Sequence, residues 1–190
     1  MMNGLRSCLL LGLAGLAPLP GTVRAADAPV KEYQVKAAIL LQSARFVEWP
    51  ADAFSRPDAP IVVGVLGEDP FGPLLDQIFR GESAKGRPLE IRRFKALRDL
   101  EPCHLFFVCA SEMEQWTEIR KRLGEDAFKA RGPLTVSDVE AFAESGGVLH
   151  LALQEKKVRI RINVDAAARA SLKISSQLLK LAVVVRDKEK

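Results

Sequence analysis

Cysteine and histidine are scarce in this 190-residue chain, at three and two residues. Cys8, Cys103 and Cys109 form no C-x-x-C pair, and His104 and His150 form no H-x-x-x-H pair. A zinc centre or a dithiol site therefore lacks its usual ligand spacing. Like-charge runs are missing too: Arg92–Arg93 and Lys156–Lys157 are only pairs. The formal net charge is +4, and two of those charges, Arg6 and Arg24, sit in the first 25 residues. A nucleic-acid footprint is denser than this. The phosphate-binding G-x-G-x-x-G and Walker patterns do not occur, and neither does a G-x-S-x-G nucleophile elbow. No nucleophile, general base, cofactor site or metal site is nominated, so an enzyme is not expected.

What the chain does have is enough apolar material for one core: 48% hydrophobic against 27% charged residues. Residues 1–25 read as an export signal. Arg6 supplies the positive start, and Cys8–Leu19 is apolar but too short to span a bilayer. Val23 and Ala25 hold the small-residue positions before a cut ahead of Ala26. Residues 26–190 are then a single exported domain.

Hydrophobic periodicity lays out its elements. Lys31–Trp49 reads as a helix whose middle turn, 37–41, is apolar all round; Pro50 ends it. Ile61–Leu66 is a buried strand, followed by a helix Phe71–Phe79 with Asp69 as cap and Pro70 at its start. Pro88–Phe94 is a strand, and Leu97–Leu100 a helical link. Cys103–Cys109 reads as the central strand, apolar on both faces. Six residues at about 3.3 Å each hold its two thiols roughly 20 Å apart, too far for a disulfide. Ser111-Glu-Met-Glu114 and Ser137-Asp-Val-Glu140 have capping-box spacing. The first opens a helix with Met113, Trp116, Ile119 and Leu123 on one face. The second opens a helix running to Ser145, after a strand Gly132–Val136.

The stretch from Gly146 onward reads as a hairpin closed by helix. Gly147–Leu153 and the alternating Val158, Ile160, Ile162 strand flank a polar turn. An Ala-rich helical turn follows, then an amphipathic helix Lys173–Val185, with Ile174, Leu178, Leu181 and Val185 as its stripe. Strand and helix alternate, so the expected class is α/β. It is a mostly parallel sheet with helices on both faces, an antiparallel C-terminal hairpin at an edge and a closing helix.

Sites in such folds lie at the carboxyl ends of the strands. Asp69 and Asp138 stand there, either as helix caps or as convergent carboxylates. His104 and His150 lie within apolar strands and read as core histidines; Trp49 and Trp116 read as packing anchors.

Several blocks carry a family resemblance. They include Phe46-Val-Glu-Trp-Pro50, Val63-Gly-Val-Leu-Gly-Glu-Asp-Pro-Phe-Gly72, Cys103-His-Leu-Phe-Phe107 and Leu134-Thr-Val-Ser-Asp138. Val158-Arg-Ile-Arg-Ile-Asn163 and Leu172-Lys-Ile-Ser-Ser-Gln-Leu-Leu-Lys-Leu-Ala182 complete the set. In this order they resemble the YfiR-like family of exported proteins, across nearly the whole mature chain. The resemblance implies a periplasmic, often dimeric α/β protein without catalytic activity. It would bind the periplasmic domain of an inner-membrane diguanylate cyclase, lowering cyclic-di-GMP and biofilm matrix. An alternative is a periplasmic small-ligand-binding or outer-membrane-transport accessory protein. Two positions depart from the family. Ser171 stands where Gly is common and would suit a left-handed helix end. Cys103 lacks the partner with which family members staple the fold. If the chain docks on a membrane partner, two stretches are candidates: Arg45 and Trp49 in the first helix, and Lys173, Gln177, Lys180 and Val184 in the last.

Overall fold

The computed structural model describes residues 27–125 and 132–187. The export signal expected at 1–25 lies outside these residues. Among the described residues, no helix is long and apolar enough to cross a membrane.

The chain opens with helix α1 (Asp27–Phe46), which passes into strand β1 (Val47–Glu48). Then come β2 (Ile61–Leu66), α2 (Pro73–Phe79), β3 (Ser83–Ala84), β4 (Arg87–Phe94), β5 (Leu105–Val108) and α3 (Trp116–Leu123). The second half holds β6 (Leu134–Ser137), β7 (Leu149–Gln154), β8 (Lys157–Asn163), α4 (Val164–Arg169), β9 (Lys173–Ile174), α5 (Ser176–Lys180) and β10 (Ala182–Val185). Eight strands form one sheet in the order β10-β8-β7-β6-β5-β2-β4-β3. The β4-β2-β5-β6-β7 block is parallel, and β7 turns back antiparallel into β8. The expected mixed α/β sheet is thus present, with its C-terminal hairpin.

Alternation on β5 explains why that strand is apolar throughout. Leu105, Phe107 and Cys109 enter the cluster shared with Leu40, Leu75 and Leu151. Phe106 and Val108 enter the opposite cluster, with Trp116, Ile119 and Phe142. The strand is shorter than the expected Cys103–Cys109: Cys103 precedes it and turns into the second cluster, where a continuous strand would have set it on the face of Cys109. Phe106 and Phe107 are sealed from solvent on the two faces, each worth about 2–3 kcal/mol of burial. Neither Cys103 nor Cys109 is in a disulfide among the described residues; both are buried, on opposite sides of the sheet.

Local signals were misread in five places. The helix after Asp69 starts at Pro73, not near Pro70: Asp69 accepts from Phe71 N at 2.8 Å, forming an Asx turn, and Pro73 takes the first helical position. Ser111 caps no helix; Ala110–Gln115 is a 3-10 segment, and the Ser111 hydroxyl accepts from Glu68 N instead. No residue of 138–146 is helical; 140–146 form turns, with Ala141 at φ 58°. There the Ser137 hydroxyl donates to Val108 O at 2.8 Å and accepts from Val139 N, anchoring the end of β6 to β5. The middle of α1 is not buried all round, since Ala38 is exposed and Ile39 half-buried. Finally, Lys173–Val185 is not one helix. Only Ser176–Lys180 is helical, between β9 and β10. The Val183-Val184-Val185 run is β-branched, and it gains a ladder against β8 that a helix would forgo.

Candidate functional site

Strand order reverses between β2 and β5, so the crevice at their carboxyl ends is where an open α/β sheet would hold a ligand. Here it is filled. Gly67 has φ +100°, and a Cβ there would collide with the Ser111 hydroxyl and sit 2.7 Å from Glu112 Cγ. The segment after β5 therefore packs directly on the glycine backbone.

The two acidic candidates beside it are tied to different partners. Asp69 Oδ2 meets Arg93 Nε at 2.7 Å. Asp138 Oδ2 accepts from Tyr33 OH at 2.9 Å and from Lys36 Nζ at 2.6 Å. Lys36 is buried, also pairs with Glu32, and lies 4.4 Å from the Tyr33 ring centre. Burial, then the Asp138 hydrogen bond and charge, push the Tyr33 phenol well above its ordinary value. Burial, aided by Asp69, Asp138, Glu112 and Glu68, pushes the Cys109 thiol up to about 12. Both groups stay protonated at neutral pH, which suits a structural clasp and not a nucleophile or base. The clasp fastens the start of α1 to the end of β6. Tyr33 and Lys36 were missed as partners of Asp138 because more than a hundred residues separate them.

His104 is a core histidine, as expected. Its Nδ1 accepts from Val62 N at 3.0 Å, and Nε2 lies 3.1 Å from Ala53 O. Phe54 stacks on the ring at 4.5 Å. The neutral Nε2–H tautomer serves both contacts at once. The tryptophans anchor likewise: Trp49 Nε1 donates to His104 O and Trp116 Nε1 to Ser145 O.

The docking candidates divide by exposure. Arg45 is held by Glu82 at 2.5 Å and by Ser83 O at 3.3 Å, and Trp49 is half-buried. Lys173, Gln177, Lys180 and Val184 are exposed. The fold joins the two stretches. β1 pairs antiparallel with β9, setting Val47 opposite Ile174 and Glu48 opposite Lys173. Ser175 N also reaches Phe46 O at 3.0 Å. One ribbon thus runs from Arg45–Trp49 through Lys173 into α5 and β10.

A second feature carried no sequence signal. A cleft of about 1030 Å³ opens between α3 and α4. Its apolar lining includes Trp116, Leu123 and Val148, and its charged lining Arg120, Glu144 and Arg169. Among the described residues, no group of three or more His, Cys, Asp or Glu is placed to hold a metal ion.

The YfiR/HmsC-like family model matches residues 33–183, most of the chain, and the protein belongs to that family. The chain has no match among the curated proteins.

Proposed function

We propose that this YfiR/HmsC-like protein is a non-enzymatic regulator that docks on the periplasmic domain of a membrane-bound diguanylate cyclase and represses it. Family membership supports the periplasmic, cyclic-di-GMP setting. The observation that carries the docking surface is the β1–β9 register, which merges two separate candidate stretches into one ribbon. On it, Lys173 and Lys180 are exposed and form no ion pair among the described residues. Such a strip fits an acidic partner face, where rim charges steer encounter. Arg45 and Trp49 support the ribbon from behind through their own bonds.

The test is cyclic-di-GMP measured in a deletion strain complemented with variants. Deletion should raise cyclic-di-GMP, and the unmodified gene should restore it. Lys180→Glu should fail to restore it while shifting stability by less than about 1 kcal/mol, as surface changes do. Leu178→Asp, on a side chain only 2% exposed, should fail because the chain unfolds around an unpaired charge. An unchanged level on deletion would remove the cyclase reading; full restoration by Lys180→Glu together with Lys173→Glu would remove this face.

A second reading rests on the cleft between α3 and α4, whose mixed apolar and charged lining suits a small ligand. An adjacent gene for an outer-membrane receptor, in place of a cyclase, would favour it.

A further inference from the structure

We propose that the cleft between α3 and α4 binds an apolar monocarboxylate that carries no amino group, with Arg120 as the anchor of its carboxylate. This rests on the small-ligand reading of that cleft and names the ligand class. The sequence of α3 sets the site up. Trp116, Arg120 and Leu123 recur at the i, i+4, i+7 spacing of one helix face, and all three line the cleft. Trp116 and Leu123 are buried, whereas Arg120 between them is exposed. A cation therefore stands in the middle of an otherwise apolar stripe.

Hydrogen bonding fixes the guanidinium in place. Arg120 Nη1 donates to Ser145 O at 2.7 Å, and Trp116 Nε1 donates to the same carbonyl at 3.2 Å. Gly146 follows at φ +96°, and a Cβ there would stand 2.8 Å from Arg120 Nη1. The side chain thus lies directly against the glycine. A guanidinium has five N–H donors in a planar fork, and a single carbonyl does not occupy them. Arg120 forms no ion pair among the described residues. Its charge is open to the cleft, where a carboxylate can take two parallel N–H bonds.

The remaining charges of the lining select against other ligands. Arg169, on the α4 wall, is paired with Asp187, whose carboxylate also accepts from the Asn163 amide at 2.9 Å. Glu144 gives one oxygen to Arg161, and its other oxygen is sealed from solvent. The Thr135 hydroxyl accepts from Val148 N, and the Ser145 hydroxyl donates to Phe142 O. The cleft therefore presents one open charge, and it is positive. An ammonium group would find no free carboxylate and would stand beside a like charge, so an amino acid is disfavoured. Leu123, Pro133 and Val148 supply the apolar wall for the body of the acid.

Calorimetric titration of the purified protein with octanoate tests this, beside octanamide and α-aminooctanoate as neutral and zwitterionic forms of the same body. Octanoate should bind, and the other two should bind about tenfold more weakly or worse. Arg120→Gln should weaken octanoate by a similar factor and leave octanamide unchanged. Gln keeps a donor for Ser145 O, and the unfolding midpoint of the variant is checked against the parent. Because Trp116 and Arg120 share Ser145 O, octanoate should also shift the indole N–H resonance of Trp116 and not that of Trp49. If all three probes bind equally and shift Trp116, the small-ligand reading stands and this proposal falls. Octanoate binding that survives Arg120→Gln, or that leaves Trp116 unmoved, overturns the proposal too. If none of the three binds, the proposal falls together with the reading of the cleft as an apolar ligand site.

Discussion

Leu172 donates its backbone N–H to Ala167 O at 3.0 Å, and that bond closes helix α4. Ser171 N reaches Ala168 O, also at 3.0 Å. The two bonds form a Schellman end, which needs a left-handed residue between them. That residue is Ser171, at φ 57°, where the family commonly has Gly. The departure noted from sequence thus falls on a strained position. Ser171→Gly should raise stability by about 1 kcal/mol, a gain of about 2–4 °C for a domain of this size. Ser171→Val should lower it. Thermal unfolding of both variants decides, and a Gly variant no more stable than the parent would mean that the end is not strained.

A similar conflict sits in the hairpin. Gln154 pairs with Lys157, so Glu155 and Lys156 alone make the turn, at φ 49° and 62°. Two successive left-handed residues define a type I′ turn, for which Asn-Gly is preferred. Replacing both residues, Glu155→Asn with Lys156→Gly, should stabilise the protein by about 1–2 kcal/mol. Denaturant midpoints at unchanged m-value would show it; a lower midpoint would contradict the turn type.

These turns also show what can be read from such a sequence. The strand around Ile162 was legible from its alternation, and the one around Phe106 from a short run apolar on both faces. The core roles of His104 and Trp116 were legible because polar atoms buried in apolar stretches are paired inside the core, although the partners themselves, Val62, Ala53 and Ser145, lie far along the chain. The thirteen residues Lys173–Val185 were not. Ile174, Leu178 and Leu181 fit a helical stripe, yet only Leu178 is buried and Leu181 is the most exposed large apolar residue described. Three consecutive valines outweigh the stripe once β8 offers its edge. The Ser137–Glu140 pattern failed for a related reason: the serine hydroxyl was recruited by Val108 O across the sheet. The Tyr33–Lys36–Asp138 clasp is long-range, and no local spacing encodes it.

Thiol chemistry checks the two layers that flank the sheet at β5. Cys103 and Cys109 are 0% and 2% exposed, and burial holds the Cys109 thiol up to about 12. A thiol reagent at pH 8 should label neither in the native protein. In denaturant without reductant, both should react, as Cys8 will if residues 1–25 are retained. Failure of both to react after denaturation would reveal a disulfide and break the strand placement.

His150 should set the acid limit of the fold near neutrality. It is 3% exposed, and its Nδ1 has no hydrogen-bond partner among the described residues. Burial pushes its pKa below the ordinary 6.5, and Arg161 reinforces this. Glu144, Glu140 and Asp138 pull the other way without prevailing. The unfolded imidazole takes up a proton below about 6.5, while the folded one resists it. The associated stability is therefore present above 6.5 and is lost as pH falls through the folded value. Asp76 and Asp187 also lose stability in acid, because hydrogen bonds from Arg93 and Arg169 hold their carboxyls below 3.8. Their window opens only below that value, so the interval from pH 6.5 to 5 separates the histidine from them. His150→Leu cannot titrate, and in that interval its unfolding midpoint should fall less steeply than the parent's. Parallel slopes for the two proteins would show that His150 exchanges no proton on unfolding.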